Sequence, residues 1–199
     1  VLSELIKKKA LRNKIEPAAL YYKTPSQSCC ISLLKDIVQN HPEALQKIYF
    51  SDSLHHTNGM LAINGLKKPL YYLYCFLEEL YPDIIETAPS FLAAREGNNI
   101  QILVFNESDD DPMYIDFNFL NITQNYKLTE KRLIASNSCI DYWCQLNFQS
   151  PIKDVDFSHI EAMSSPRISF EVIPKTATYL YHLTLNPQDI ILLQFEEMI

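Results

Sequence analysis

The sequence reads as α/β plus β: an alternating helix-strand segment over residues 1–85, then an antiparallel β-sandwich over residues 86–199. Three observations support this. Before about residue 83, apolar residues at helical spacing alternate with short strand-like runs, which is the α/β signature. After Pro89 the texture becomes many short strands at turn-like spacing, which is the signature of a sandwich. Pro82 and Pro89 punctuate the change.

The elements follow in order. Leu2, Leu5, Ile6 and Ala10 make Leu2 to Asn13 helical, and Ala18 to Tyr22 is a short strand. Thr24 or Ser26 caps a helix that Ile31, Leu33, Leu34, Ile37 and Val38 make amphipathic and that ends near Asn40. Lys47 to Phe50 is a second strand, and a loop runs from Ser51 to Lys68. Gly65 turns the chain into an aromatic helix that starts at Pro69, where a proline is tolerated, and ends near Leu80. Its stripe is Leu70, Leu73, Tyr74 and Leu77. Strands are expected at Phe91–Arg95, Ile100–Phe105, Tyr114–Phe119, Tyr126–Ala135, Ile168–Val172, Tyr179–Leu185 and Ile190–Phe195. Alternation is plainest where Tyr114, Asp116 and Asn118 interleave with Ile115, Phe117 and Phe119. Two helical stretches, Cys139 to Leu146 and Asp156 to Met163, interrupt the strands.

Composition narrows the function. Of the 199 residues, 47% are hydrophobic, enough for a buried core. The net charge of −7 argues against this chain gripping nucleic acid, which needs basic patches to neutralise phosphates. The basic cluster Lys7, Lys8, Lys9, Arg12 and Lys14 reads as a solvated helix face. No apolar run is long enough to span a bilayer, so no membrane partner is expected. The start, Val1 to Lys9, lacks an initiator Met and the charged-then-apolar order of a secretion signal, and reads as part of a longer chain. The five cysteines (Cys29, Cys30, Cys75, Cys139 and Cys144) include no CxxC pair. They fit a reducing, cytoplasmic setting without a disulfide framework.

Few constellations carry chemistry, and no metal site or cofactor is expected. Adjacent His55 and His56 point in different directions without a partner at ligand spacing, so a polar loop is the better reading. Glu107-Ser-Asp-Asp-Asp111 lacks the central glycine and terminal Glu of a calcium loop and reads as an acidic hairpin turn. Trp143 beside Tyr142 is either a sugar platform or, more often for such a pair, an anchor in a core or interface.

Five stretches, in order and spacing, resemble the C-terminal part of glycoside hydrolase family 39, the β-xylosidase and α-iduronidase family. They are Tyr49-Phe-Ser-Asp52 with the loop and helix Ile63–Leu80, Asn99–Asn106, Ser136–Phe148, Met163–Pro174 and Leu183–Glu196. The resemblance runs from about residue 17 to 197. It implies the end of a TIM barrel (helix-strand-helix-strand-helix) followed by a sandwich, with the Pro69 helix outside the last barrel strands. Retaining glycosidases use two carboxylates about 5 Å apart. The family's acid/base residue lies on an earlier strand, and its nucleophile is a Glu in a Thr-Glu-Trp strand end. The matching strand, Pro17 to Ser26, carries Tyr21, Tyr22 and Lys23 there, with Glu16 on the other side of the strand. Ile48 replaces a family Trp, and His55-His56 replace an acidic pair.

No catalytic residue is therefore assigned. The resemblance implies a non-catalytic form, as found at the C-terminus of AraC-type bacterial transcription regulators, whose DNA-reading part lies elsewhere in the full-length protein. Such a domain binds a sugar-like effector or mediates self-association. The residues expected to line a ligand site are Tyr22, Tyr49, Asp52, His55, His56 and Trp143. Two alternatives stand beside it: the C-terminal piece of a working β-xylosidase-type enzyme, and a carbohydrate-binding sandwich with exposed coplanar aromatics.

Overall fold

A computed structural model describes residues 27–40, 60–62, 65–146 and 152–198. Among them are helices α1 (Ser28–Asn40), α2 (Pro69–Glu78), α3 (Cys139–Gln145) and α4 (Asp154–Ser164). The strands are β1 (Asp83–Ala88), β2 (Phe91–Glu96), β3 (Asn99–Phe105), β4 (Met113–Ile122), β5 (Tyr126–Leu133), β6 (Arg167–Ile173), β7 (Thr176–Leu185) and β8 (Ile190–Glu197). The expected strands Ala18–Tyr22 and Lys47–Phe50, and the expected helix Leu2–Asn13, lie outside the described residues.

The strands form a six-stranded sheet, β1-β2-β3-β8-β5-β6, and a two-stranded ribbon, β4-β7. Every pairing is antiparallel. The period-2 alternation of β strands assigns the two faces of the sheet. Leu92, Ala94, Leu103, Phe105, Leu133, Ile190 and Leu192 point one way and meet Ile31, Leu34 and Ile37 of α1 and Leu70, Leu73 and Phe76 of α2. Ala93, Ile102, Val104, Leu128, Ile191, Leu193 and Phe195 point the other way, under Ile115, Phe117, Phe119, Leu183 and Leu185 of the ribbon. β8 is buried on both faces, which is why Ile190-Ile-Leu-Leu193 is a continuous apolar run.

The helices follow local chemistry. Lys68 precedes α2 in extended conformation and Pro69 opens it; a proline there gives up an N–H that the helix could not have used. Gly65, at φ 83, bends the chain so that Ala62 and Leu66 pair and Lys68 donates its N–H to the Met60 carbonyl. A side chain at that φ is strained, which is why glycine serves. At the other end of α2, the buried Gln101 side chain donates to the Glu79 carbonyl (3.0 Å) and accepts from the Tyr81 N–H (2.7 Å). It satisfies groups that a helix end leaves open. Ser138 and Asp141 form a reciprocal capping box at the start of α3.

One expectation is corrected. The expected turn at Glu107–Asp111 is not a hairpin, because β3 pairs with β2 and β8 while β4 pairs with β7. The run instead carries the chain from the sheet to the ribbon. Buried Asn106 holds it there, donating to the carbonyls of Asp111 (2.8 Å), Asn186 (3.2 Å) and Leu185 (3.3 Å) and accepting from the Ser108 N–H. The stretch at 83–90, read as a punctuated boundary, contains β1, which pairs with β2. The division expected at 85/86 falls inside that strand. The helices before it share a core with the sheet after it.

Candidate functional site

Of the six residues expected to line a ligand site, Tyr22, Tyr49, Asp52, His55 and His56 lie outside the described residues. Trp143 is described, and its surroundings are those of a core. It is 4% exposed and clusters with Ala62, Leu66, Cys139 and Ile160, so its ring offers no open face for stacking. Burial pushes the neighbouring Cys139 thiol up to about 12. The core reading of the Tyr142-Trp143 pair is the one this geometry matches.

Cys29, Cys30, Cys75 and Cys139 form no disulfide among the described residues. Burial raises Cys30 and Cys75. Cys29 is lowered, first by its hydrogen bond with the Cys30 side chain and, more weakly, by the charge of Lys68. No helix is long and apolar enough to cross a membrane, and no group of three or more His, Cys, Asp or Glu is placed to hold a metal ion, among the described residues.

A polar concavity lies at the β5–β6 end of the sheet. It is a groove of about 450 Å³ lined by Glu130, Arg132, Ile134, Arg167, Ile168, Ser169, Asn186 and Asp189. Glu130 and Arg132 lie two and four residues after Leu128 on β5, share its face and so point toward the ribbon. There the Tyr181 hydroxyl donates to Glu130 (2.7 Å), and Arg132 donates to Glu130 (3.0 Å) and to the Thr184 carbonyl (2.8 Å). Asp189 is 1% exposed and lies 3.8 Å from Arg132. Burial raises its carboxyl, against the Ala135 and Asn186 N–H groups and the Arg132 charge, which hold it down. Burial, and then Glu130, also raise the Tyr181 phenol.

Chemically this is a cross-braced polar wall. Arg132 joins both carboxylates. Arg167, Ser169 and Asn186 leave donors and acceptors at the rim that suit a hydroxyl-rich molecule. Sequence reasoning missed this groove. The usable signal was the run Lys127-Leu-Thr-Glu-Lys-Arg132, whose charges fall on both parities of a strand and so place charge on the covered face.

The sequence matches no protein-family model and no curated protein. Solved structures resemble it in fold. A GH39 enzyme from Xanthomonas axonopodis pv. citri superposes at TM-score 0.65 with 11% identity, over 93% of this chain and 43% of that one. A monomeric β-xylosidase from Caulobacter crescentus CB15 gives 0.68 and 13%, over 89% and 44%. A GH39 β-xylosidase from Caulobacter crescentus gives 0.64 and 16%, over 87% and 42%. The chain thus spans less than half the length of these proteins, and at these identities the likeness is one of architecture. Its fold is similar to the matched part of these glycoside hydrolase family 39 structures.

Proposed function

We propose that this chain is a non-catalytic, glycosidase-like regulatory domain, sensing an effector or mediating an interaction. It serves an AraC-type bacterial transcription regulator in the cytoplasm, whose DNA-binding part lies outside this chain. The observation that carries this reading is the sequence Pro17–Ser26, where Tyr21, Tyr22 and Lys23 stand in place of the Glu-Trp that the resemblance expects. A glycosidase fold without its carboxylate pair keeps a shaped surface but not the reaction. The net charge of −7 fits a module that leaves DNA to another domain. The ligand is a sugar-like small molecule, held by Tyr22, Tyr49, Asp52, His55 and His56.

A second reading, the C-terminal part of a working β-xylosidase-type enzyme, is favoured by the likeness to enzymes of that fold. A third, a carbohydrate-binding sandwich, is favoured by the donors at the rim of the β5–β6 groove.

The test is thermal unfolding against pentoses, hexoses and xylo-oligosaccharides, with a xylosidase assay in parallel. A ligand that binds the native state raises Tm by mass action. A shift without turnover is expected. Turnover overturns the non-catalytic reading. Neither shift nor turnover removes the effector and leaves the interaction role.

A further inference from the structure

We propose that β6 is a self-pairing edge, and that two copies of this chain join there as antiparallel neighbours, making one continuous sheet through a two-fold axis at Ser169. The inference stands apart from whether the chain binds a sugar.

The two ends of the six-stranded sheet are built differently. β1 is broken by a bulge between Ile84 and Glu86, and it carries exposed Asp83 and Glu86. Bulges and charges are how natural edges avoid pairing. β6 has no such bulge, and its two exposed charges, Arg167 and Glu171, are of opposite sign and so can pair across a two-fold axis. Its register with β5 is unbroken from Arg167 to Ile173. Ile168, Phe170 and Val172 are 56%, 70% and 58% exposed, a row of large apolar side chains along an open edge.

The sequence of β6 says what fits that edge. Arg167-Ile-Ser-Phe-Glu171 reads as positive, apolar, small polar, apolar, negative. Laid antiparallel on itself about Ser169, Arg167 meets the second copy's Glu171, Ile168 meets Phe170, and Ser169 meets Ser169. All three pairings keep each side chain on its own face. Sliding the axis to Phe170 would set Arg167 against Ile173 and Glu171 against Ser169, losing both charge pairs.

Within one chain, Arg167 has an unfavourable neighbour and no counter-ion. Its cross-strand partner on β5 is Arg132, and like charges opposite one another repel. Arg132 is already engaged by Glu130 and Asp189. Among the described residues Arg167 has no ion-pair partner. Glu171 accepts a hydrogen bond from the Tyr179 hydroxyl (2.7 Å) through one carboxylate oxygen, which leaves the other open. The missing counter-charge of each copy is thus the free carboxylate oxygen of the other.

The experiment is sedimentation velocity across a wide range of protein concentration on the parent, Arg167→Glu, Glu171→Arg, and a one-to-one mixture of the two variants. Both positions are exposed, and a Tm close to the parent's is the check that each variant folds. The parent is expected to dimerise with rising concentration. Each variant alone sets like charges opposite and stays monomeric. The mixture sets an all-acidic edge against an all-basic one and regains the dimer. A parent that stays monomeric overturns the proposal, as do variants that dimerise as well as the parent or a mixture that fails to recover.

Discussion

At the scale of single residues, the β5–β6 groove is held by charge-assisted hydrogen bonds, and Tyr181 supplies one of them. Its hydroxyl donates to Glu130, which Arg132 also engages. Hydrogen bonds to charged groups contribute about 1.5–3 kcal/mol. Tyr181→Phe is therefore expected to lower stability toward the lower end of that range, because Glu130 keeps Arg132; urea denaturation measures it. The pH dependence has a definite sign. The folded phenol titrates above its ordinary value of 10, because of burial and then Glu130. Its contribution is complete below pH 10 and is lost as pH rises through the folded value, since the unfolded chain ionises first. Tyr179, beside Glu171, behaves alike and is pushed up to about 12. Tyr181→Phe should flatten the loss of stability above pH 10, and an unchanged alkaline slope would contradict the assignment.

At the scale of elements, the joint between α2 and the sheet rests on Gln101. One amide satisfies a helix-end carbonyl and the N–H of the residue that leaves the helix. Gln101→Leu strands two backbone groups, at about 1–3 kcal/mol for each that stays buried. Amide hydrogen exchange should show faster opening at the C-terminal turn of α2, with β3 less affected. Most elements were legible because their periodicity was clean. The α2 start at Pro69, the alternation in β4 and the apolar run of β8 each declare a single environment. β1 was not legible, since Asp83-Ile-Ile-Glu-Thr-Ala88 has an edge strand's weak pattern and lies between prolines that suggest a break. The acidic run after β3 was misread for a different reason. Turn chemistry reports that the chain bends, while the partner of the next strand is a long-range choice. The groove was illegible because its residues come from β5, β6 and the turn before β8, which only the topology gathers. The burial of Trp143 was not legible, because a tryptophan at helical spacing looks the same whether its face is open or covered.

At the scale of the molecule, helices and ribbon cover opposite faces of one sheet, so neither layer has a core of its own. Trp143, the single tryptophan, reports on a third cluster between α3, α4 and the Ala62–Leu66 turn. Lys67 of that turn bonds Glu161 of α4 (2.8 Å), and α2 leads straight out of it. Unfolding is expected to be a single cooperative transition. Tryptophan fluorescence and far-ultraviolet circular dichroism should trace the same curve in denaturant. A separate, earlier fluorescence change would show that the α3–α4 cluster melts alone.

The position of β8 has a consequence for how the protein is made. Among the described strands it comes last in chain order, yet it lies between β3 and β5 and joins them in the sheet. A ribosome therefore delivers β1-β2-β3 and β5-β6 as two unfinished pieces, each with a bare inner edge. They can unite only when Ile190 to Glu197 has been released. Until then those edges are open to strands of neighbouring nascent chains. Synthesis rate over the codons of β8, and chaperone cover of the two open edges until then, are expected to influence yield.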